Sequence, residues 1–473
     1  MRETFESRSP ADPADLIGQF DIADAEDVER CVARARHAFA AWRDTSQEAR
    51  AGVLRRFAEL ASGESEALAR LVAREVGKAL WDARAEARLL AAKIDVTLEE
   101  GLRLVAPIEA GAGVRATLHP RGVLAVLAPF NFPLHLANGH IAPALATGNC
   151  VILKPSELAP GCGERLGALL RQAGAPDGVI QVVHGGAETG RQLAAHPDVD
   201  AVLFTGSYAV GNALARATLD QPDKLLALEM GGSNAILVLD DAALDAAVAE
   251  TALSIAATTG QRCTSARRIF VQRGIEAAFV EKLAGVLRGL AVGNPLDEGV
   301  FMGPLVSARA AEAVDAARAA AATAGGERIL GVEPQLPPPY VGAGLVRWPS
   351  LTQDTTVQRE ELFGPEAHVY AIADLDEGIV AANDTEYGLA ASIFTRDRSA
   401  YEHCVGRIRV GCLNWNRATV GASGKLPFGG RGRSGNDRPT GVGATVYCTV
   451  PQAHLESQAN FDATALPPGM PRP

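Results

Sequence analysis

Between about residues 24 and 105, apolar positions recur three and four residues apart in stretches such as DVERCVARARHAFAAW and EARAGVLRRFAELAS. This spacing predicts successive amphipathic helices. After about residue 121 the pattern changes. Short apolar runs (VLAVLAP, CVILKPS, VIQVVHG, AVLFTGS and AILVLDD) alternate with helical stretches, and each is followed by a turn signal. Apolar runs of strand length separated by helices predict a parallel sheet covered by helices, because such strands have no solvent side. A second alternating series, from about 263 to 415, contains RRIFVQR, EAHVYAIAD and LAASIFT, with helices such as IEAAFVEKLAGVLRGL between them. It predicts a second α/β domain. The proline-rich EPQLPPPYVGAGLVRWP at 333–349 is expected to be a surface loop, and the alanine-rich 308–324 a helix.

Length and charge narrow the function classes. A chain of 473 residues is long for one core and implies two or three domains. The net charge of -11, with basic residues scattered rather than clustered, gives no footprint for nucleic acid. The most apolar long stretch, 122–146, is interrupted by Asn131, His135, Asn138, His140 and three prolines, so it belongs in a folded interior and not in a membrane. The opening MRETFESRSPADPAD lacks the basic end and apolar run of a signal peptide, and a cytoplasmic location is expected. Seven cysteines without CxxC or Cys/His spacing predict free thiols and no metal site.

Several stretches carry candidate chemistry. TTGQRCTSARR, 258–268, places Cys263 among an amide, hydroxyls and arginines; it is a nucleophile or a small buried apolar residue. FTGSYAVG, 204–211, follows a strand and opens a helix, where backbone N–H groups and the helix dipole attract phosphate, although a glycine there also serves a plain turn. VILKPSE, 151–157, sets Lys154 and Glu157 at the carboxyl edge of a strand, as ribose ligands or as a solvated charge pair. In LEMGGSN, Glu229 follows an apolar run, so burial could raise its pKa and make it a general base; exposure on the surface is the alternative. In PFNFP, 129–133, the Asn131 amide could donate to an oxyanion or bond to nearby backbone.

Together with EELFGP at 360–365 and PFGG at 427–430, these motifs resemble the aldehyde dehydrogenase superfamily, in order and over essentially the whole chain. NWNRATVGAS at 414–423, NGHIAPALATGN from 138 and SGNDRPTGVGATVYCTVPQAHLES from 434 resemble the branch that oxidises succinylglutamate semialdehyde in arginine breakdown. Two departures are visible: SPADPADLIG stands for the usual NPATGE-type opening, and Ser265 occupies a position where a thiol is often found.

The resemblance implies an α/β fold of three parts: a Rossmann-type NAD-binding domain (1–107 and 123–229), an α/β catalytic domain (230–435) and a small β oligomerisation extension (108–122 and 436–473). It further implies Cys263 as nucleophile, Glu229 as base for thioester hydrolysis, and Asn131 with the Cys263 backbone N–H as oxyanion donors. NAD would be held by Lys154, Ser156 and Glu157 at the adenosine ribose, by Gly206, Ser207, Tyr208, Ala209, Val210 and Gly211 at the pyrophosphate, and by Glu361 and Phe363 at the nicotinamide end. Arg417 and Ser423 would meet substrate carboxylates. The expected partners are a small semialdehyde and other copies of the chain, as homodimer or homotetramer. A different acidic semialdehyde, or a non-catalytic binding protein on the same fold, are the alternatives.

Overall fold

The computed structural model describes residues 3–457 and 466–472. One sheet has five parallel strands in the spatial order Ile180–Val182, Cys150–Lys154, Val123–Leu127, Ala201–Gly206 and Leu225–Met230. The first two connections travel one way from Val123–Leu127 and the next two the other way, so a crevice opens beyond the carboxyl ends of the two central strands. Val123–Leu127 and Cys150–Lys154 are buried at every position, which is why they read as unbroken apolar runs.

The helices Ala25–Asp44, Gln47–Gly63, Ser65–Val76 and Leu80–Asp95 are those predicted from helical spacing, and they share one core with this sheet. The first begins at a capping box between Asp24 and Asp27 and buries Val28, Cys31, Val32, Ala35 and Trp42 along one stripe. The apolar 122–146 becomes a central strand and the buried helix His135–Ala146. Among the described residues no helix is long and apolar enough to cross a membrane.

The second sheet has seven strands in the order Glu327–Gly331, Gly344–Arg347, Glu366–Ile372, Ala266–Gln272, Asn234–Val238, Ala390–Phe394 and Cys412–Trp415, all parallel except the first. Two expectations change here. AILVLDD falls in this sheet, and the fifth strand of the first sheet is LLALEM, whose interior carboxylate disguises a buried run. The proline-rich 333–349 is not wholly a loop, because Gly344–Arg347 pairs inside the sheet, with Pro334 and Pro337 to Pro339 ahead of it and Pro349 just beyond.

A third, three-stranded antiparallel sheet is formed by Thr449–Leu455, Val114–Pro120 and Ile108–Gly111. It falls within the segments expected to form the extension, part of which, 458–465, lies outside the described residues.

Only residues 231–233 separate the last strand of the first sheet from Asn234–Val238 of the second. The carboxyl edge of the first sheet therefore abuts the amino edge of the second. Loops from both edges meet there.

Candidate active site

From the first sheet come Asn131, four residues past Val123–Leu127, Lys154 and Gly206 at strand ends, and Glu229 near the end of Leu225–Met230. From the second come Cys263, just ahead of Ala266–Gln272, and Glu361 and Phe363, just ahead of Glu366–Ile372. Cys412 opens the strand Cys412–Trp415.

The junction LEMGGSN is shaped by what crosses it. A Cβ on Gly231 would lie 1.8 Å from Glu361 Oε2, and one on Gly232 would lie 2.7 Å from the Cys263 carbonyl oxygen. A side chain at Gly232 would strike the backbone of Cys263, and one at Gly231 would displace the Glu361 carboxylate. Asn234 then locks three strands, donating to the carbonyls of Cys263 (2.7 Å) and Ser265 (2.8 Å) and accepting from the N–H of Ala390 (2.9 Å). Arg268, fully buried, donates to the carbonyls of Ser233, Ala381 and Ala382.

Ahead of Cys263, Thr258, Thr259 and Gly260 all have positive φ, with values of 54°, 54° and 70°. Such a run costs conformational energy for the two threonines and is held in place by its bonds. Thr258 donates to Asp82 (2.6 Å), Thr259 donates to the Gly303 carbonyl (2.9 Å), and Arg262 reaches both Asp82 (2.8 Å) and Thr258 (2.8 Å). Arg267 donates to the carbonyls of Gly260 and Gly364, tying the thiol loop to the loop of Glu361.

The thiol of Cys263 is partly open to the cleft. Desolvation, with Glu361 and Glu229 adding negative charge nearby, pushes it up to about 12, and Arg262 opposes the shift. The Cys263 backbone N–H has no partner among the described residues. Asn131 spends one amide N–H on the Gln261 carbonyl (2.9 Å), which orients the side chain and leaves its second N–H unused. Two donors are thus available beside the thiol.

Glu229 is buried, and burial holds its carboxyl well above the usual range against the pull of the Thr440 N–H. Its Oε2 is buried without a hydrogen-bond partner, so a lone pair remains free to take a proton. Glu361 accepts from the Gly232 N–H (2.9 Å), and desolvation raises it to about 7. Phe363 meets Phe130 edge to face at 5.9 Å, joining the two lips of the cleft.

The crevice of the first sheet offers a donor set suited to a dinucleotide. Lys154 is buried, donates to the Pro155 carbonyl (2.8 Å) and lies 3.8 Å from exposed Glu157; Ser156 follows as the acceptor for the Leu158 N–H (3.2 Å). Ser207 caps the helix Tyr208–Ala217 by accepting from the Val210 N–H, leaving the Tyr208 and Ala209 amides at its free N-terminus. Gly206 and Gly211 make room for Phe204 and Met230 beneath. An ammonium and a carboxylate beside a strand end, with the free first-turn amides of a helix next to them, suit the ribose and pyrophosphate of such a group.

The substrate-side loop is less defined. Arg417 is exposed, and its carbonyl accepts from Ser392, while its guanidinium has no partner among the described residues. Ser423, also exposed, accepts from the Lys425 N–H (3.3 Å). Sequence reasoning missed Asp82, Asn234, Arg267 and Arg268, which support the thiol loop, and Cys412, whose thiol is close enough to act electrostatically on Cys263.

A thiol and a raised carboxyl close to one another, beside a dinucleotide-type crevice, fit the architecture of a nicotinamide-dependent oxidoreductase. The chain belongs to the aldehyde dehydrogenase family, whose model matches residues 1–452. It is 42% identical over 473 residues to the N-succinylglutamate 5-semialdehyde dehydrogenase of Burkholderia thailandensis, covering 98% of this chain and 96% of that one. It is 41% identical over 474 residues to the enzyme of the same description from Burkholderia ambifaria, with the same coverage. Among solved structures, an NAD-dependent aldehyde dehydrogenase from Sinorhizobium meliloti superposes with a TM-score of 0.91 at 32% identity, covering 97% of this chain and 93% of that one. A 1-pyrroline-5-carboxylate dehydrogenase from Thermus with bound NAD gives a TM-score of 0.91 at 29% identity, covering 96% and 90%.

Proposed function

We propose that this chain oxidises N-succinylglutamate 5-semialdehyde to N-succinylglutamate with NAD as acceptor, in arginine breakdown. The observation that carries the reading is the cleft in which Cys263, with two unused N–H donors beside it, shares its electrostatic surroundings with the orphaned carboxyl of Glu229. Near full-length likeness to enzymes of that description supports the choice of substrate.

The Cys263 sulfur, once deprotonated, adds to the aldehyde carbon, and the electron pair of the C=O bond moves to oxygen. The Asn131 amide and the Cys263 N–H receive that oxyanion. NAD, when bound, supplies the hydride acceptor, with Lys154, Ser156 and Glu157 at the adenosine ribose, 206–211 at the pyrophosphate, and Glu361 and Phe363 at the nicotinamide end. Loss of hydride from the thiohemiacetal leaves a thioester on Cys263. Glu229 then takes a proton from water, whose oxygen adds to the thioester carbon; collapse expels the thiolate and releases the acid. Aldehyde, NAD⁺ and water thus give acid, NADH and a proton. Arg417 and Ser423 would receive carboxylate at the mouth. We assign the chain to the cytoplasm, where seven free thiols would stay reduced, and to a homodimer or homotetramer built through the three-stranded sheet.

A panel assay of NADH formation tests this. N-succinylglutamate semialdehyde should give the highest kcat/KM beside N-acetylglutamate, free glutamate and neutral aldehydes. A higher value for another semialdehyde would replace the substrate and leave the chemistry standing.

A further inference from the structure

Lys93 sits in the helix Leu80–Asp95, 5% exposed, and its ammonium donates only to the Gly441 carbonyl, at 2.7 Å. No carboxylate among the described residues pairs with it. Two N–H donors of a buried cation are therefore left without protein partners, which is costly unless something anionic or polar meets them. Burial pulls the ammonium down to about 8, with only the neighbouring Cys448 thiol opposing the shift.

Its surroundings lead into the active site. Gly441 follows Thr440, whose N–H serves Glu229. The helix Leu80–Asp95 runs along His135–Ala146, which starts just beyond Asn131: Glu86 accepts the Leu134 and His135 N–H groups, and the Leu90 carbonyl accepts from Asn138. Lys93 lies three residues beyond Leu90, close enough to act electrostatically on both His135 and His140. On the facing helix, His135 Nδ1 is buried with no partner, and a Cβ built on buried Gly139, one turn further, would meet no atom within 4 Å. Unfilled space, an orphaned ring nitrogen and an ammonium with two unmatched donors thus lie on two packed helices, joined to Glu229 through the adjacent Thr440 and Gly441.

We propose that Lys93 is the interior carboxylate-binding residue of the substrate channel, with His135 and the space at Gly139 completing a subsite for one acid group of a dicarboxylic semialdehyde. Nothing in the chemistry of an uncharged aldehyde would call for a buried cation there. The assignment deepens the substrate reading above and rests on it for the identity of the diacid.

The test compares KM and kcat of the full-length parent and Lys93→Met on N-succinylglutamate semialdehyde and on hexanal. The expected result is a KM ratio, diacid over hexanal, that rises on the order of 10- to 100-fold in the variant, with kcat on the diacid changed much less. An unchanged ratio overturns the role of Lys93 even if the parent prefers the diacid. If the parent prefers another carboxylated semialdehyde, the substrate reading fails, and the same comparison on that compound decides Lys93. A parent with no preference for carboxylated aldehydes overturns both. Should Lys93→Met not fold, Gly139→Ala, whose added Cβ meets no neighbour, gives the second measurement: it should penalise the diacid more than acetaldehyde, and retention of the parent's preference would overturn the subsite.

Discussion

The Cys263 thiol is surrounded by groups that favour its protonated form, and Glu361 makes that effect depend on pH. An acid raised to about 7 is neutral below that pH and charged above it, so it opposes the thiolate only on the alkaline side. In enzyme without cofactor, Glu361→Gln should therefore speed alkylation of Cys263 by iodoacetamide severalfold at pH 8 and scarcely at pH 5.5. Equal acceleration at both would remove Glu361 as the electrostatic neighbour. Glu229→Gln should produce a different defect. Rapid mixing is expected to show a burst of NADH followed by steady turnover lowered on the order of 10²- to 10⁴-fold, because the thioester forms but no base activates water. A missing burst would place Glu229 before hydride loss.

Elements place these residues through contacts that are distant in sequence. The helix His135–Ala146 has no side-chain cap of its own; Glu86 supplies one, accepting from Leu134 and His135 while its other oxygen pairs with fully buried Lys78. Glu86→Gln should cost about 3 kcal/mol, measurable by chemical denaturation, by removing the carboxylate bonded to the Lys78 ammonium, which keeps the charge of Asp82 and the face of Phe132. Strands such as Cys150–Lys154 were legible because both faces are buried, and the motifs around Asn131, Glu229 and Cys263 were legible because strand ends and glycine turns punctuate them. LLALEM was not, since a buried carboxylate breaks its apolar pattern. Asp82 was not either: an acid in an amphipathic helix carries no local sign that it will meet Arg262, 180 residues later. Lys93 was silent for the same reason.

At the scale of the molecule, the three-stranded sheet presents edge strands and apolar side chains to solvent, with Leu455 84% and Ile108 59% exposed. Exposed edges of this kind pair with other chains. If the chain self-associates through this sheet as proposed, Val450→Lys combined with Leu455→Lys should shift the mass seen by light scattering toward that of one chain; a parent that already has that mass, or a larger mass left unchanged, would overturn the assignment of this sheet as the contact.

The three residues between the sheets also fix how the cleft can vary. A link of that length spans roughly 10 Å when fully extended, so the two edges stay together beside Glu229, like covers joined at a spine. Room for a longer or bulkier acyl chain has to come from away from that spine, at the exposed 421–426 or in the space beside Gly139. Specificity can drift there without disturbing the distance between the sulfur and the base.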